Sequence, residues 1–179
     1  LASGYVEARV HGRLHGNTVY FDIPSVTGTE NVLMASVTAK GATIIRNAAK
    51  EPEVGNLIDM LTAMGAQIDG RDTDCLTVTG VTSLQAAEAT IIPDRIEAGT
   101  YAVAVGATGG ELEITDCDPS HLPVLMEKLR AAGLEIEAKT RSIIASCPIN
   151  KQGARCPLQA VDITTMPYPG FPTDLQAQF

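Results

Sequence analysis

A chain of 179 residues, 45% of them hydrophobic, has the material for one large or two small folded domains with a core of their own. Its 13 basic against 21 acidic residues give a formal net charge of -8, which argues against a surface that gathers phosphate backbones, so no nucleic-acid partner is expected. No apolar run approaches the roughly 20 residues that cross a bilayer, and the start Leu1-Ala2-Ser3-Gly4 has no basic segment leading into an apolar one, so neither export nor a membrane anchor is expected.

Cys75, Cys117, Cys147 and Cys156 form no C-x-x-C pair and are too sparse for a disulfide scaffold, which predicts reduced thiols and a cytoplasmic location. The chain starts without Met and stops at Phe179 soon after a helix start, which predicts a fragment of a longer protein.

In chain order, Tyr5 to Val10 nearly alternates and reads as a strand, and Gly12 and Gly16 bracket a turn into a second strand, Thr18 to Ile23. Thr27-Gly28-Thr29-Glu30 has the spacing of a capping box, opening a nearly all-apolar helix through Val32, Leu33 and Val37 that Gly41 stops and that should be buried on most sides. Ala42 to Arg46 favours a strand. Val54, Leu57, Ile58, Leu61 and Met64 fall at helical spacing up to Gly65, and the strands Ala66 to Ile68 and Leu76 to Thr79 flank a polar turn.

The order then recurs: a strand Ala89 to Ile92, a cap at Asp94 with Glu97 three residues on, and an apolar helix Ala98 to Thr108. Glu111 to Thr115 is a strand, Leu122 to Leu129 an amphipathic helix stopped by Gly133, and Leu134 to Ala138 and Ser142 to Ser146 are strands. Sliding residues 41 to 68 onto 109 to 136 places Gly41 on Gly109, Leu57 on Leu125, Leu61 on Leu129 and Gly65 on Gly133. Residues 147 to 158, with Lys151 and Arg155, read as an exposed connection. Gln159 to Ile163 begins a third copy. The prediction is an α/β protein of repeated β-α-β-α-β-β units, which cannot bury their helices singly.

The third copy contains the most constrained stretch, Pro167-Tyr168-Pro169-Gly170-Phe171-Pro172-Thr173-Asp174-Leu175-Gln176. Prolines hold it extended up to Thr173, and Thr173 with Gln176 has capping-box spacing. Asp174 then sits in a first helical turn, where the dipole favours a carboxylate; that suits a structural charge and equally a positioned general base. Thr27-Gly28-Thr29 could offer amides to a diphosphate or be an ordinary capped helix. No phosphate-loop or dinucleotide-binding motif occurs, and no cofactor is called for. His11 and His15 lack the glutamate of a helical zinc motif, so no metal is expected. Glu51, Glu53 and Arg95 read as solvated or paired charges at helix entrances.

Four runs in order resemble the UDP-N-acetylglucosamine 1-carboxyvinyltransferase family of bacterial enolpyruvyl transferases: Ser25-Val26-Thr27-Gly28-Thr29-Glu30-Asn31, Asn47-Ala48-Ala49-Lys50-Glu51-Pro52-Glu53-Val54, Pro93-Asp94-Arg95-Ile96-Glu97-Ala98-Gly99-Thr100, and Phe171 to Phe179. The likeness runs from Gly4 to Phe179 and covers the middle of that family's longer chain. It implies two lobes forming an inside-out α/β barrel with a cleft between them. Residues 1–92 would be the last part of the first, UDP-sugar lobe and residues 93–179 the first part of the second.

The implied reaction moves the enolpyruvyl group of phosphoenolpyruvate to the 3-hydroxyl of UDP-N-acetylglucosamine with release of phosphate, a step of peptidoglycan precursor synthesis on which cell-wall biogenesis, cell shape and division depend. Asp174 matches the family's general base, with Thr173 beside it. Ile23, Pro24, Ser25, Val26 and Thr27 match the segment touching the uridine diphosphate. Ile23 and Thr27 replace a frequent lysine and a frequent glycine, which leaves backbone contacts there. The fosfomycin-reactive proton-donor cysteine of many members, and most phosphoenolpyruvate-binding cations, fall outside these residues, so the remainder of the same enzyme chain is an expected partner and the piece alone is expected to be inactive. Another enolpyruvyl transferase, acting on shikimate 3-phosphate, and a non-catalytic α/β binding module are the alternatives; the Phe-Pro-Thr-Asp-x-Gln-Ala-Gln run favours the UDP-sugar enzyme.

Overall fold

A computed structural model describes residues 4–150, 153–154 and 157–179. The start Leu1 to Ser3, and Lys151, Arg155 and Cys156 of the expected connection, lie outside the described residues. The chain divides into two compact units, one ending at Ile91 and the other beginning at Ile92.

The first unit contains β1 (Thr18–Tyr20), α1 (Val26–Ser36), β2 (Ala42–Arg46), α2 (Pro52–Ala63), β3 (Gln67–Asp69) and β4 (Cys75–Thr79). Its sheet has the order β1-β2-β4-β3, with β1 parallel to β2 and the other pairs antiparallel. A parallel β1–β2 pair requires a crossover, and α1 supplies it. Strand alternation sends Ile45, Leu76 and Val78 to one core with Leu33 of α1 and Ile58 of α2. Pro at the start of α2 costs no hydrogen bond, because first-turn amides have no helical acceptor.

The second unit contains α3 (Arg95–Thr108), β5 (Glu111–Thr115), a 3-10 turn Pro119–His121, α4 (Pro123–Ala132), β6 (Glu135–Ala138), β7 (Ser142–Ser146) and a 3-10 turn Thr173–Leu175. Its sheet has the order β5-β7-β6, all antiparallel. Val105, Leu125, Leu129, Ile143, Phe171 and Leu175 belong to its core.

The predicted repeat is present from the first helix of the unit to its last strand, without the leading strand of the second copy. Strands β2-β4-β3 recur as β5-β7-β6, and Ala42 and Gln67 both register with Thr79 as Glu111 and Glu135 register with Ser146. Asn47 after β2 and Asp116 after β5 both have positive φ, 54° and 51°, a conformation these short polar residues tolerate. The next amides donate equivalently, Ala48 to Asp74 O and Cys117 to Arg141 O. Gly65 and Gly133 end α2 and α4 with φ of 100° and 105°, which a side chain would strain. The shift that carries Asn47 to Asp116 carries Gly41 to Gly110, one position longer than the alignment on Gly109.

Several expectations are corrected. Tyr5 to Val10 is not a strand and is exposed. The strand expected over Thr18 to Ile23 stops at Tyr20; just beyond it the Asn47 amide takes the Phe21 carbonyl at 2.8 Å. Ala89 to Ile92 and Gln159 to Ile163 also form no strand. Unlike β2, β5 has no parallel partner among the described residues and is the edge of its sheet, and the two runs are held by individual hydrogen bonds instead of a ladder, among them Asn56 Nδ2 donating to Thr90 O at 3.0 Å and Gln159 N–H to Ala132 O at 2.9 Å. Nor is α1 covered on most sides: Thr29, Leu33 and Ser36 are buried while Met34 is 48% exposed. No described helix is long and apolar enough to cross a membrane.

Candidate active site

The first unit presents Ile23 to Thr27 as the turn between β1 and α1. Phe21 N–H donates to Arg46 O, tying the start of this turn to β2. The cap of α1 is Ser25 rather than Thr27: Ser25 is extended, and its Oγ accepts the Gly28 amide at 3.1 Å. The approach is close, since a Cβ on Gly28 would lie 2.9 Å from Ser25 Oγ and 2.8 Å from the Phe21 ring. Helix α1 therefore starts at Val26, and the predicted Thr27 capping box does not form. The repeat held the missed signal, because the shift that pairs Asn47 with Asp116 pairs Ser25 with Asp94. Asp94 does cap α3, accepting the Ile96 and Glu97 amides at 2.8 and 3.1 Å.

Ile23 is exposed, Pro24 and Ser25 are half-buried, Val26 packs on the core and Thr27 is exposed. The segment thus shows one apolar side chain and the amide end of a helix, which favours a negatively charged group. Behind it, buried Thr29 accepts the Ala49 amide at 3.0 Å, which joins α1 to the entrance of α2. Burial, then the like charges of Glu53 and Glu51, push the Glu30 carboxyl up from its ordinary value.

In the second unit, Gly170 N–H donates to Pro167 O and Met166 N–H to Phe171 O, folding the proline-rich stretch into a tight turn. The ring of Phe171 is buried and meets Phe179 edge-on, with centroids 5.5 Å apart. Leu175 is fully buried against α3. Thr173 and Asp174, between these two anchors, are both exposed. The expected capping box at Thr173 is absent: Pro172 precedes a single 3-10 turn with no side-chain cap. The carboxylate is held by hydrophobic footings on either side of it, without a helical cap.

Sequence reading passed over two partners of this loop. The Arg95 guanidinium lies 5.6 Å from the centroid of the Tyr168 ring, and Tyr168 Oη donates to Ser120 O at 3.3 Å. Ser120 is held by Asp118, which accepts its amide at 2.9 Å and its hydroxyl at 2.6 Å. The hydroxyl bond is the main reason the Asp118 carboxyl lies below its ordinary value. Among the described residues no group of three or more His, Cys, Asp or Glu could hold a metal, and Cys75, Cys117 and Cys147 are free thiols.

The fold, a repeated unit of sheet and helices, is that of the enolpyruvyl transferases. The enolpyruvyl transferase NikO from Streptomyces tendae superposes with a TM-score of 0.77 at 23% identity, over 93% of this chain and 41% of that one. The EPSP synthase of Acinetobacter baumannii does so with a TM-score of 0.53 at 16% identity, over 75% of this chain and 32% of that one. Both likenesses concern the fold.

The chain belongs to the EPSP synthase (3-phosphoshikimate 1-carboxyvinyltransferase) family, whose profile matches residues 1–179. Among its relatives, the UDP-N-acetylglucosamine 1-carboxyvinyltransferase of Desulfatibacillum aliphaticivorans is 48% identical over 179 residues, and that of Thermodesulfovibrio yellowstonii is 48% identical over 180. Each comparison covers all of this chain and 41% of the relative, so the chain spans about two-fifths of the length of these curated relatives.

Proposed function

We propose that the full-length protein transfers the enolpyruvyl group of phosphoenolpyruvate to the 3-hydroxyl of UDP-N-acetylglucosamine, releasing phosphate, in peptidoglycan precursor synthesis in the cytoplasm. The observation that carries the mechanism is Asp174, an exposed carboxylate one residue from fully buried Leu175 and three from buried Phe171. A base must be accessible to its substrate and yet fixed, because misplacement by about 1 Å can cost on the order of 100-fold in rate.

In the proposed addition the sugar oxygen bonds to C2 of phosphoenolpyruvate, its proton passes to Asp174, and C3 takes a proton from an acid beyond these residues. Elimination then breaks the C2–O bond to phosphate and removes a C3 proton, restoring the double bond. Thr173 borders the base. Ile23 to Thr27 line the uridine diphosphate pocket, with the N–H end of α1 from Val26 onward as its polar part, which supports an anionic ligand where the lysine is replaced by Ile23. We assign residues 1–92 to the UDP-sugar lobe and residues 93–179 to the lobe of the base; the division after Ile91 supports that boundary.

Phosphate release by the full-length protein tests this. Asp174→Asn is expected to lower turnover by two or more orders of magnitude with the unfolding midpoint unchanged, and wild-type turnover in that variant would remove Asp174 from the chemistry. Release with shikimate 3-phosphate in place of the UDP-sugar would overturn the substrate.

A further inference from the structure

The loop bearing Asp174 has both of its footings on α3. At its start Tyr168 stacks under Arg95, the first residue of α3. At its end Leu175 seats on Gly99, where a Cβ would come within 2.7 Å of Leu175 Cδ1. Arg95 and Gly99 are one helical turn apart, about 6 Å of rise. Between the footings, Phe171 is buried and pairs with Thr165 through a backbone bridge. Tyr168 has a further hold on the Ser120 carbonyl, in a turn that Asp118 caps.

A cation in the first position of a helix opposes the helix dipole, so Arg95 is a poor choice for helix stability alone. Over an aromatic face the same charge is attracted by the ring. The α3 entrance already has its cap in Asp94 and an acid in Glu97, so the guanidinium is not needed to close the helix.

We propose that Arg95 and Tyr168 are positioning residues for Asp174, their stacked pair fixing the start of the loop to the helix that also holds its end. This rests on Asp174 being the general base. Neither residue touches the reacting atoms in the proposal; they set where the carboxylate stands.

The test is phosphate-release kinetics on the full-length protein with Arg95→Met, Tyr168→Leu and the double variant, each also made with Asp174→Asn. Each single change is expected to lower kcat about tenfold with KM for UDP-N-acetylglucosamine within about twofold, and the double variant to be no slower than the slower single. Arg95→Lys and Tyr168→Phe, which keep the cation and the ring, should recover most of the rate. With Asp174→Asn present, the pair's replacement should cost nothing further.

Wild-type kcat in Arg95→Met, multiplicative losses in the double variant, or an undiminished loss in the Asp174→Asn background would each overturn the proposal. Should Tyr168→Leu fail to fold, Arg95→Met against Arg95→Lys decides alone. An inactive Asp174→Asn with unaffected Arg95 variants defeats the pairing and leaves the base standing, whereas an active Asp174→Asn defeats the base itself.

Discussion

Gly99 and Leu175 pack so closely that a methyl group on Gly99 would fall 2.7 Å from Leu175 Cδ1 and 2.9 Å from Leu125 Cδ2. Both leucines are almost wholly buried and have little room to yield. Alanine would gain up to about 1 kcal/mol in helix propensity, against roughly 1–3 kcal/mol for overpacking. Gly99→Ala should therefore destabilise the protein on balance by about 1 kcal/mol in denaturant unfolding and lower kcat more than that loss of stability explains, since Leu175 adjoins Asp174.

Ser25 and Thr27 make opposite demands on a helix start. Removing the N-cap oxygen costs about 1 kcal/mol, while an exposed first-turn residue is worth within about 0.5 kcal/mol. Ser25→Ala should lower the unfolding free energy by about 1 kcal/mol and Thr27→Ala should change it little; the reverse ranking would return the cap to Thr27.

Thr29→Val keeps the shape of a buried side chain and deletes the acceptor of the Ala49 amide. A buried donor left unsatisfied costs roughly 1–3 kcal/mol. The unfolding midpoint should fall accordingly, and hydrogen exchange at Ala49 should accelerate.

Glu30 titrates with its folded value raised, so the fold favours the protonated form. Its favourable contribution is complete below the unfolded glutamate value of about 4.3 and is lost as pH rises through the folded one. Glu30→Gln should raise the unfolding midpoint slightly at pH 7, by an amount that solvent screening keeps small, and the gain should vanish as pH falls to about 4. A gain that persists at pH 4 would point to packing instead of charge.

Helices were the legible part of the fold, because an amphipathic period, a cap and a glycine stop all lie within a few residues of one another. Thus α2, α3 and α4 appear where Leu57, Asp94 and Gly133 announce them. For Asp174, the stiff loop was legible, since three prolines and Gly170 precede it, but the sequence placed the residue in the first turn of a helix and the structure places it in a 3-10 turn. Its means of support was not legible: the Thr173-Gln176 spacing suggests a cap, and the actual restraint comes from the burial of Phe171 and from Leu175 and Tyr168 meeting residues dozens of positions away.

By itself, then, the sequence determined the repeat from its first helix onward, its helices and their stops, and the residue types of the candidate site, all of which depend on near neighbours. Tertiary structure alone decided that Thr18–Tyr20 pairs with β2 while the similar runs at Ala89 and Gln159 form no strand, and that Arg95 stacks on Tyr168. A strand needs a partner strand laid alongside it and a stacked pair needs two distant segments brought to one place, and neither condition is written in the local order of residues.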